Sequence, residues 1–543
     1  MPQAMLDGAT LGTCLTNLAS RSPDCVARFP DTGAALTAAE LDRASVGAAH
    51  AFLDAGIRPG DLVGVVVPAG PQVFTTLYGL WRIGAAVSVL PVAVGFGAAA
   101  SAAQRLAALI TDADIRKVVL DPSYAAIGQE LLDILPSLSV VDAGVSMPGA
   151  AWRLPAVFED DLAVVQFTSG STDTPKGVML PHRNMIAGLL ACVVSGDLST
   201  EDKLVQWVPT YHDMGLISLM SFFLNGCDVH LFSPTAFLRR PAQLLQYFAE
   251  VRGTAFASPN FIYEFLLDAV KPDLLRTLDL SNWRLAYNGA EPISAATIQR
   301  FTETLAPCGV RDNVMFPVYG MAEATLSVAY PEPGSVPRTV TIDRSQLGRS
   351  SLVRVVPELH PSAKTVVAVG KAVHGIDIRL VDSLGLPCGP GEVGQIQISG
   401  PPVTTGYYRA PEINAFDGPW LSTGDLGFQL EGDLFVLGRT EEVIVTADRH
   451  FFPDDIESVV RDIPGVYQRR CVAFPDRAQV GVIIEAGDAH TEHVRAEAER
   501  LLLSELNLDQ VSVRVVRPRW ITRTTSGKWQ RALASRRLAA AAV

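Results

Sequence analysis

An α/β architecture is expected for this 543-residue chain, with a smaller α+β unit at its C-terminal end. Strand-like apolar runs alternate with helical patterns through roughly the first 400 residues, the signature of mostly parallel sheets covered by helices. The chain is longer than one ordinary domain, so two or more folding units are expected. The pattern changes near "GRTEEVIV" (438–445), and a boundary falls at residues 437–441, dividing 1–437 from 438–543.

The elements follow in order. "DLVGVVVPAG" reads as a strand before the helix "PQVFTTLYGLWRIG", and "RKVVLD" as a strand before the helical "PSYAAIGQELLDILP". "DLAVVQ" is a buried strand and "HRNMIAGLLACVV" a helix, with the loop "FTSGSTDTPKG" (167–177) set between them. "AATIQRFTETLAP" has helical spacing behind Ser294, a side chain suited to capping. Residues 331–364, rich in Pro, Ser, Arg and Val, look like an insertion on the surface. Beyond the boundary come a helix, "DDIESVVRDI", and two strands, "QRRCVAF" and "QVGVIIEA"; the Ala-rich C-terminal tail is expected to fray.

Hydrophobic residues make up 48% of the chain, ample for a large core, and the net charge is -13. That charge gives no global attraction for nucleic acid or anionic membrane, so any bound anion must be held locally. The seven cysteines are scattered without a CxxC pair, as reduced thiols of a cytoplasmic protein would be. The N-terminus lacks a basic stretch before an apolar run, so no signal peptide is expected. The uncharged span around 83–103 contains Pro91 and several Gly and Ala; it reads as a buried strand entering a small-residue turn, not a transmembrane segment. "GFGAAA" (95–100) fits the loose dinucleotide pattern, but no acidic-ended second strand follows, and a simple turn is the better reading.

The chemistry gathers in six stretches. In "FTSGSTDTPKG", Gly170 and Gly177 allow the backbone to curl, and its N–H groups form an anion-binding nest. The hydroxyls of Thr168, Ser169, Ser171 and Thr172 add donors, and Lys176 adds a positive charge: a polyphosphate cradle. It is not a Walker A loop, because Lys176 precedes Gly177 and no Gly-Lys-Ser/Thr ending is present. "VPTYHDMGL" puts His212 and Asp213 on a strand-to-helix turn. "LAYNGAEPIS" ends an apolar run in Asn288, Gly289 and Ala290, small enough for a flat ring to lie close. "FPVYGMAEATLS" offers Tyr319 as a stacking face, then Gly320, Met321, Ala322 and the acid Glu323. "WLSTGDLGF" carries Asp425 in a tight turn, where a carboxylate can accept two hydroxyls at once. Finally, "RTTSGKWQR" sets Lys528 after a flexible Ser-Gly near the C-terminus.

Taken together and in this order, these stretches resemble the adenylate-forming superfamily of acyl-CoA ligases, peptide-synthetase adenylation domains and luciferases. The resemblance runs from "GAALTAAELDRAS" to "SGKWQR". Within that superfamily the chain is most similar to the fatty acyl-AMP ligases: in "SGSTDTPKGVMLPHRN" and "WVPTYHDMGLI", in Ala322 of "YGMAEATLS", in the segment inserted at 331–364, and in "VTADRHFFPDDIE". Two departures stand out. Glu441 occupies the hinge position where Asp or Lys is usual, and Asp448 replaces a Gly common in coenzyme A ligases, which should hinder a polyanionic coenzyme.

The resemblance implies an N-terminal domain of three subdomains, two of them helix-covered sheets and one small and β-rich, with a mobile C-terminal domain. It implies ATP and Mg²⁺ as cofactors, a fatty acid as substrate and an acyl carrier protein acting in trans. By the same resemblance, loop 168–176 grips the leaving phosphates, Glu323 holds the metal, and Tyr319 stacks the adenine framed by Asn288, Gly289 and Ala290. Asp425 and Arg439 hold the ribose, His212 sits beside the acyl carboxylate, and Lys528 reaches the reacting carboxylate and the α-phosphate. An acyl-CoA ligase is the alternative. A silent scaffold of the same fold is disfavoured by the intact Lys176, Glu323, Asp425, Arg439 and Lys528.

Overall fold

The computed structural model describes residues 6–92, 99–144, 153–168, 176–413, 415–446, 449–477, 479–524 and 529–541. Two sheets stand side by side in the large N-terminal portion. One has six strands in the order Ser139–Asp142, Lys117–Leu120, Leu62–Val66, Ala86–Val89, Leu162–Thr168 and Lys176–Pro181, parallel except for the last pair. The other has seven strands, running from Met315–Pro317 through Leu285–Asn288, Ala255–Ser258, Lys203–Gln206, Asp228–Leu231 and Val26–Phe29 to Ala34–Thr37. Their central strands are apolar on both faces, as parallel strands buried under helices must be. Helices His182–Ser195 and Asp213–Leu224 pack against each other, the first on the six-stranded sheet and the second on the seven-stranded one. From Met214 to Leu224 every residue of the second helix is buried, which accounts for its nearly all-apolar sequence.

A third, nine-stranded antiparallel sheet closes the large portion. It contains Tyr319–Gly320, Ser327–Tyr330, Ala363–Ala372, Asp433–Arg439, Trp420–Leu430, Gly394–Ser399 and Asp377–Val381, with Thr339–Asp343 and Phe416–Asp417 pairing alongside. Beyond Arg439, strands Val466–Asp476, Gln479–Ala486 and Val511–Val516 form a separate three-stranded sheet. It is covered on one face by helices Pro453–Val460 and Thr491–Glu505, whose Ile456, Val460, Val494, Ala498 and Leu502 share a core of their own.

The expected elements are present with four differences. The helix at 182 does not directly follow the hydroxyl-rich loop. Strand Lys176–Pro181 intervenes, pairing antiparallel with Leu162–Thr168 so that Thr168 lies opposite Lys176. The 331–364 segment is not merely a surface insertion. Its residues Thr339–Asp343 join the sheet, and Val340, Ile342 and Leu347 are buried with Phe428, Phe435 and Phe452. Lys364 also pairs with Asp455 at 2.6 Å, and the Leu347 carbonyl accepts the His450 N–H at 3.1 Å. Asp425 lies in the long strand Trp420–Leu430, not in a tight turn; Gly424 beside it takes φ +78°, and that local twist suggests a turn in sequence. The C-terminal tail is a helix, Arg531–Ala541, held by burial of Ala534 and packing of Leu538.

Two histidines are buried where they cannot hold a charge. His182 is fully buried, and its Nδ1 accepts the Leu11 N–H at 3.3 Å; His230 is 3% exposed, with Nδ1 2.8 Å from the Tyr247 hydroxyl. Loss of solvent pushes both imidazoles down to about 4. In the unfolded chain they titrate near 6.5. The unfolded state therefore binds protons first as pH falls, so stability is full above about 6.5 and is lost progressively towards pH 4. Denaturant unfolding at pH 7 and pH 5 should show a loss on the order of 2 kcal/mol per histidine at the lower pH, and His182→Gln should flatten part of that slope. A midpoint that does not move over this range contradicts neutral burial.

Candidate active site

The site begins at the hairpin. Thr168 and Lys176 face each other where it opens, and the Thr168 hydroxyl donates to the Lys176 carbonyl at 3.4 Å. Gly177 must be glycine: a Cβ there would stand 2.8 Å from Val165 Cγ1 and 2.9 Å from the Phe167 ring. Ser169, Gly170, Ser171 and Thr172 lie outside the described residues.

The stretch Pro401–Tyr408 stitches this hairpin to the acid at 323. The Met179 N–H donates to the Gly406 carbonyl at 3.1 Å and the Tyr408 N–H to the Gly177 carbonyl at 2.7 Å. Asn184 donates to the carbonyls of Pro401 and Val403 at 2.9 and 2.6 Å, and the Thr404 hydroxyl to the Met179 carbonyl at 2.6 Å. On its other side the Thr404 N–H donates to the Glu323 carbonyl at 2.7 Å. Tyr407 is thereby set between two charges. Its hydroxyl donates to Glu323 Oε1 at 3.0 Å, and Lys176 Nζ lies 5.8 Å from its ring centroid.

Glu323 sits in the short turn Ala322–Ala324, between buried Met321 and Ala322 and buried Ala324. The turn is tight: a Cβ on Gly320 would meet the Leu326 carbonyl oxygen at 2.0 Å, and Thr325 takes φ +65°. The strained Thr325 is held by its hydroxyl, which bonds the Pro402 carbonyl at 2.8 Å. Burial raises the Glu323 carboxyl above the usual range; the Tyr407 hydroxyl and the positive Arg439 work against that rise.

Asp425 and Arg439 are cross-strand partners in the third sheet. Asp425 is 6% exposed, and its two oxygens are engaged separately, by Arg439 Nε at 2.9 Å and by the Tyr319 hydroxyl at 2.5 Å. Asp425 stabilises the Arg439 guanidinium, and burial together with the adjacent carboxylate drives the Tyr319 phenol far above its ordinary range. Arg439 thus acts electrostatically on both Asp425 and Glu323, which makes the two acids neighbours in one field.

Strand Leu285–Asn288 ends beside them. The Asn288 carbonyl accepts the Val318 N–H at 2.8 Å, next to Tyr319. Asn288 is fully buried and donates to Asn260 Oδ1 at 3.2 Å, while its own Oδ1 has no partner among the described residues. Gly289 closes against Val318, where a Cβ would lie 2.8 Å from Cγ2, and Ala290 adopts φ +66°. His212 caps helix Asp213–Leu224, its ring edge-on to Tyr211 at 4.6 Å, and Asp213 adds its negative field to Glu323. Gly215 allows this approach, since a Cβ would fall 2.0 Å from the Pro209 carbonyl oxygen.

The structure therefore brings together Thr168, Lys176, Asn288, Gly289, Ala290, Tyr319, Gly320, Met321, Ala322, Glu323, Asp425 and Arg439, with His212 alongside on the adjacent turn. Lys528 and Asp448 lie outside the described residues, and Glu441 is the middle residue of the turn Thr440–Glu442 just after Arg439. Sequence reasoning missed Tyr407, Asn260 and the clamp at Pro401–Tyr408. Their signal was the cluster "PPVTTGYY", whose Pro, Gly and Thr fit a backbone held in close contact.

The AMP-binding enzyme family matches residues 15–408. A medium-chain-fatty-acid–[acyl-carrier-protein] ligase, JamA, of Moorena producens is 32% identical over 456 residues, covering 79% of this chain and 77% of its own length. A long-chain-fatty-acid–AMP ligase, FadD26, of Mycobacterium marinum is 33% identical over 517 residues, covering 87% of this chain and 86% of its own. Among solved structures, one from a study of fatty acyl-adenylate ligases from E. coli and L. pneumophila aligns with a TM-score of 0.93 at 28% identity, over 99% of this chain and 100% of that one. With three sheets converging on one cluster of acids and cations, and with relatives of this kind over most of its length, the chain belongs to the AMP-binding enzyme family, among its fatty acid-adenylating ligases.

Proposed function

We propose that the chain activates a fatty acid with ATP to acyl-AMP and pyrophosphate, then passes the acyl group to the phosphopantetheine thiol of an acyl carrier protein acting in trans. The observation that carries this reading is the convergence of Lys176, Glu323, Asp425 and Arg439 from separate parts of the chain. Two negatively charged reactants must meet, the fatty carboxylate and the α-phosphate, so the site has to neutralise charge and align the attack.

Lys176 and the hairpin tip would take the departing pyrophosphate. Asp425, a buried carboxylate with lone pairs to spare beyond Tyr319 and Arg439, would accept the ribose hydroxyls. The small Asn288–Ala290 turn and the Tyr319 ring would bound the adenine. His212 would lie beside the acyl carboxylate. Magnesium fits this site in one way. Among the described residues no three ligating side chains gather, so Glu323 would hold the ion together with nucleotide oxygens, a coordination magnesium favours. When bound, the ion supplies charge neutralisation across the phosphates. Lys528 would act on the reacting carboxylate and the α-phosphate, where excluded water makes its charge most effective. Rotation of residues 438–543 about a hinge at Glu441 would then exchange Lys528 for the thiol path.

The carrier-protein acceptor is supported by the names of the relatives and by Asp448, an added negative charge where coenzyme A would bring its own. Fatty acid, ATP, Mg²⁺ and free coenzyme A should give acyl-AMP and little thioester; rapid thioester formation would identify a coenzyme A ligase instead. Among the described residues no helix is long and apolar enough to cross a membrane.

Lys528→Ala should abolish fatty-acid-dependent exchange of labelled pyrophosphate into ATP, yet leave transfer from supplied acyl-AMP to a thiol intact. Equal loss of both steps contradicts the assigned role. Tyr407→Phe removes the hydroxyl that holds the Glu323 carboxylate. The exchange rate should fall about tenfold, on the order of 1.4 kcal/mol. Because that hydrogen bond lowers the Glu323 pKa, the acid limb of the rate profile should also move to higher pH. An unchanged limb would mean that Tyr407 does not position Glu323.

A further inference from the structure

From Gln510 to its last residue the sequence has eight Lys or Arg and no Asp or Glu, within a chain of net charge -13. The structure gathers most of these cations on one face. Strand Val511–Val516 is an edge strand, and its Val513 points into the core under helix Thr491–Glu505. Arg514 therefore points to the opposite side, where Ile483 and Val516 pack with Ala534 and Leu538 of helix Arg531–Ala541. Arg514, Arg517, Arg519, Arg536 and Arg537 are all exposed. Arg537 donates to the Trp520 carbonyl at 2.9 Å and lies 4.6 Å from that indole ring, which sets it next to Arg519. Among the described residues Arg514, Arg517, Arg519 and Arg537 form no salt bridge with a carboxylate, unlike Arg531, which is paired with Glu457 and Glu442.

The face borders the junction with the large portion of the chain. Arg523 lies 3.7 Å from the Trp529 ring centroid and 5.2 Å from that of Phe261, and Phe261 follows Asn260, the partner of Asn288. Arg469 of the same C-terminal part pairs with Glu264 at 2.7 Å. The cationic edge thus stands where the C-terminal part meets the elements that frame the site.

We propose that this face, formed by strand Val511–Val516, the turn after it and helix Arg531–Ala541, docks the acidic surface of an acyl carrier protein. The inference rests on the carrier-protein reading above and names the surface that reading requires. Clustered arginines suit recognition of carboxylate-rich protein surfaces. A membrane fits less well: among the described residues of this face none is an exposed large hydrophobic, and Trp520 is covered by Arg537. A long polyanion would also run onto the acidic remainder of the chain.

The test uses the full chain with Arg514→Glu and Arg517→Glu together, and a milder Gln pair. The acceptors are a holo acyl carrier protein of bacterial fatty acid synthesis and, separately, free pantetheine, a neutral thiol. The Glu pair should raise the KM for the carrier at least tenfold and flatten its dependence on salt, with the Gln pair intermediate. Pyrophosphate exchange and transfer to pantetheine should stay at wild-type rates. An unmoved carrier KM overturns the proposal, as does loss of pyrophosphate exchange in parallel with it. Binding of duplex DNA or anionic vesicles through these arginines, with the carrier KM unmoved, overturns it in favour of another partner. If the wild-type enzyme acylates pantetheine but not the carrier, the acceptor reading falls together with the docking surface, while the adenylation reading stands.

Discussion

Lys176 opens a strand of the six-stranded sheet and Glu323 sits in a turn between two strands of the nine-stranded one, and the backbone of Pro401–Tyr408 holds them in register. Its hydrogen bonds run to Gly177 and Met179 on one side and to Glu323 on the other, with Asn184 tying down two carbonyls behind it. These are bonds between backbone groups and short side chains, which lose little conformational entropy when fixed. Around them, Gly177 and Gly320 admit contacts that any Cβ would block, and Thr325 carries left-handed strain beside the acid. A charge cluster of this kind is useful only if its members cannot drift apart. Tyr407 applies the constraint locally, through a hydrogen bond to the acid and a ring near the cation.

The electrostatics follow from that rigidity. The chain is acidic overall, so its attraction for a nucleotide must come from local cations in a partly water-free space. Arg439 does this twice. It neutralises Asp425 directly and stabilises ionised Glu323 at longer range. Burial alone would push Glu323 towards its neutral form, which could not hold a divalent ion. The neighbouring guanidinium and the Tyr407 hydroxyl oppose that drift. Asp425 keeps acceptor capacity because its partners approach different oxygens.

Much of this was legible in the sequence, for reasons that differ by element. The parallel strands were readable because burial on both faces leaves continuous apolar runs such as "LVGVV" and "AVSV". The helix cap at Ser294 was readable because capping is local, and the Ser294 side chain does accept the Thr297 N–H. Asp425 was expected in a turn and lies in a strand: Gly424 signals φ above zero, and only the pairing with Asp433–Arg439 shows that a strand absorbs it. The inserted segment looked like surface because its Pro and Ser content hides a five-residue strand whose partner, Ala363–Ala372, lies some twenty residues away. Tyr407 was missed for a similar reason. Nothing local to "TTGYY" says that its hydroxyl will meet an acid 84 positions earlier.

The C-terminal part shows how a long-range constraint is built from residues that look ordinary in sequence. Arg531 grips both oxygens of Glu457 at 2.7 and 2.9 Å and reaches Glu442 at 3.2 Å, so helix Arg531–Ala541 is tied to helix Pro453–Val460 and to the turn after Arg439. Pairs this buried contribute little net stability against apolar substitutes, but breaking one side strands a charge and costs about 3–5 kcal/mol. The bond therefore acts as a fixture. Trp529 just before Arg531 is flanked by Arg470 and Arg523, and Arg523 bridges back to Trp529 through the backbone. Arg523 and Trp529 are thus locked to each other and to the C-terminal core. The turn at Thr440–Glu442, directly after the arginine that pairs with Asp425, is bound to the same fixture through Glu442.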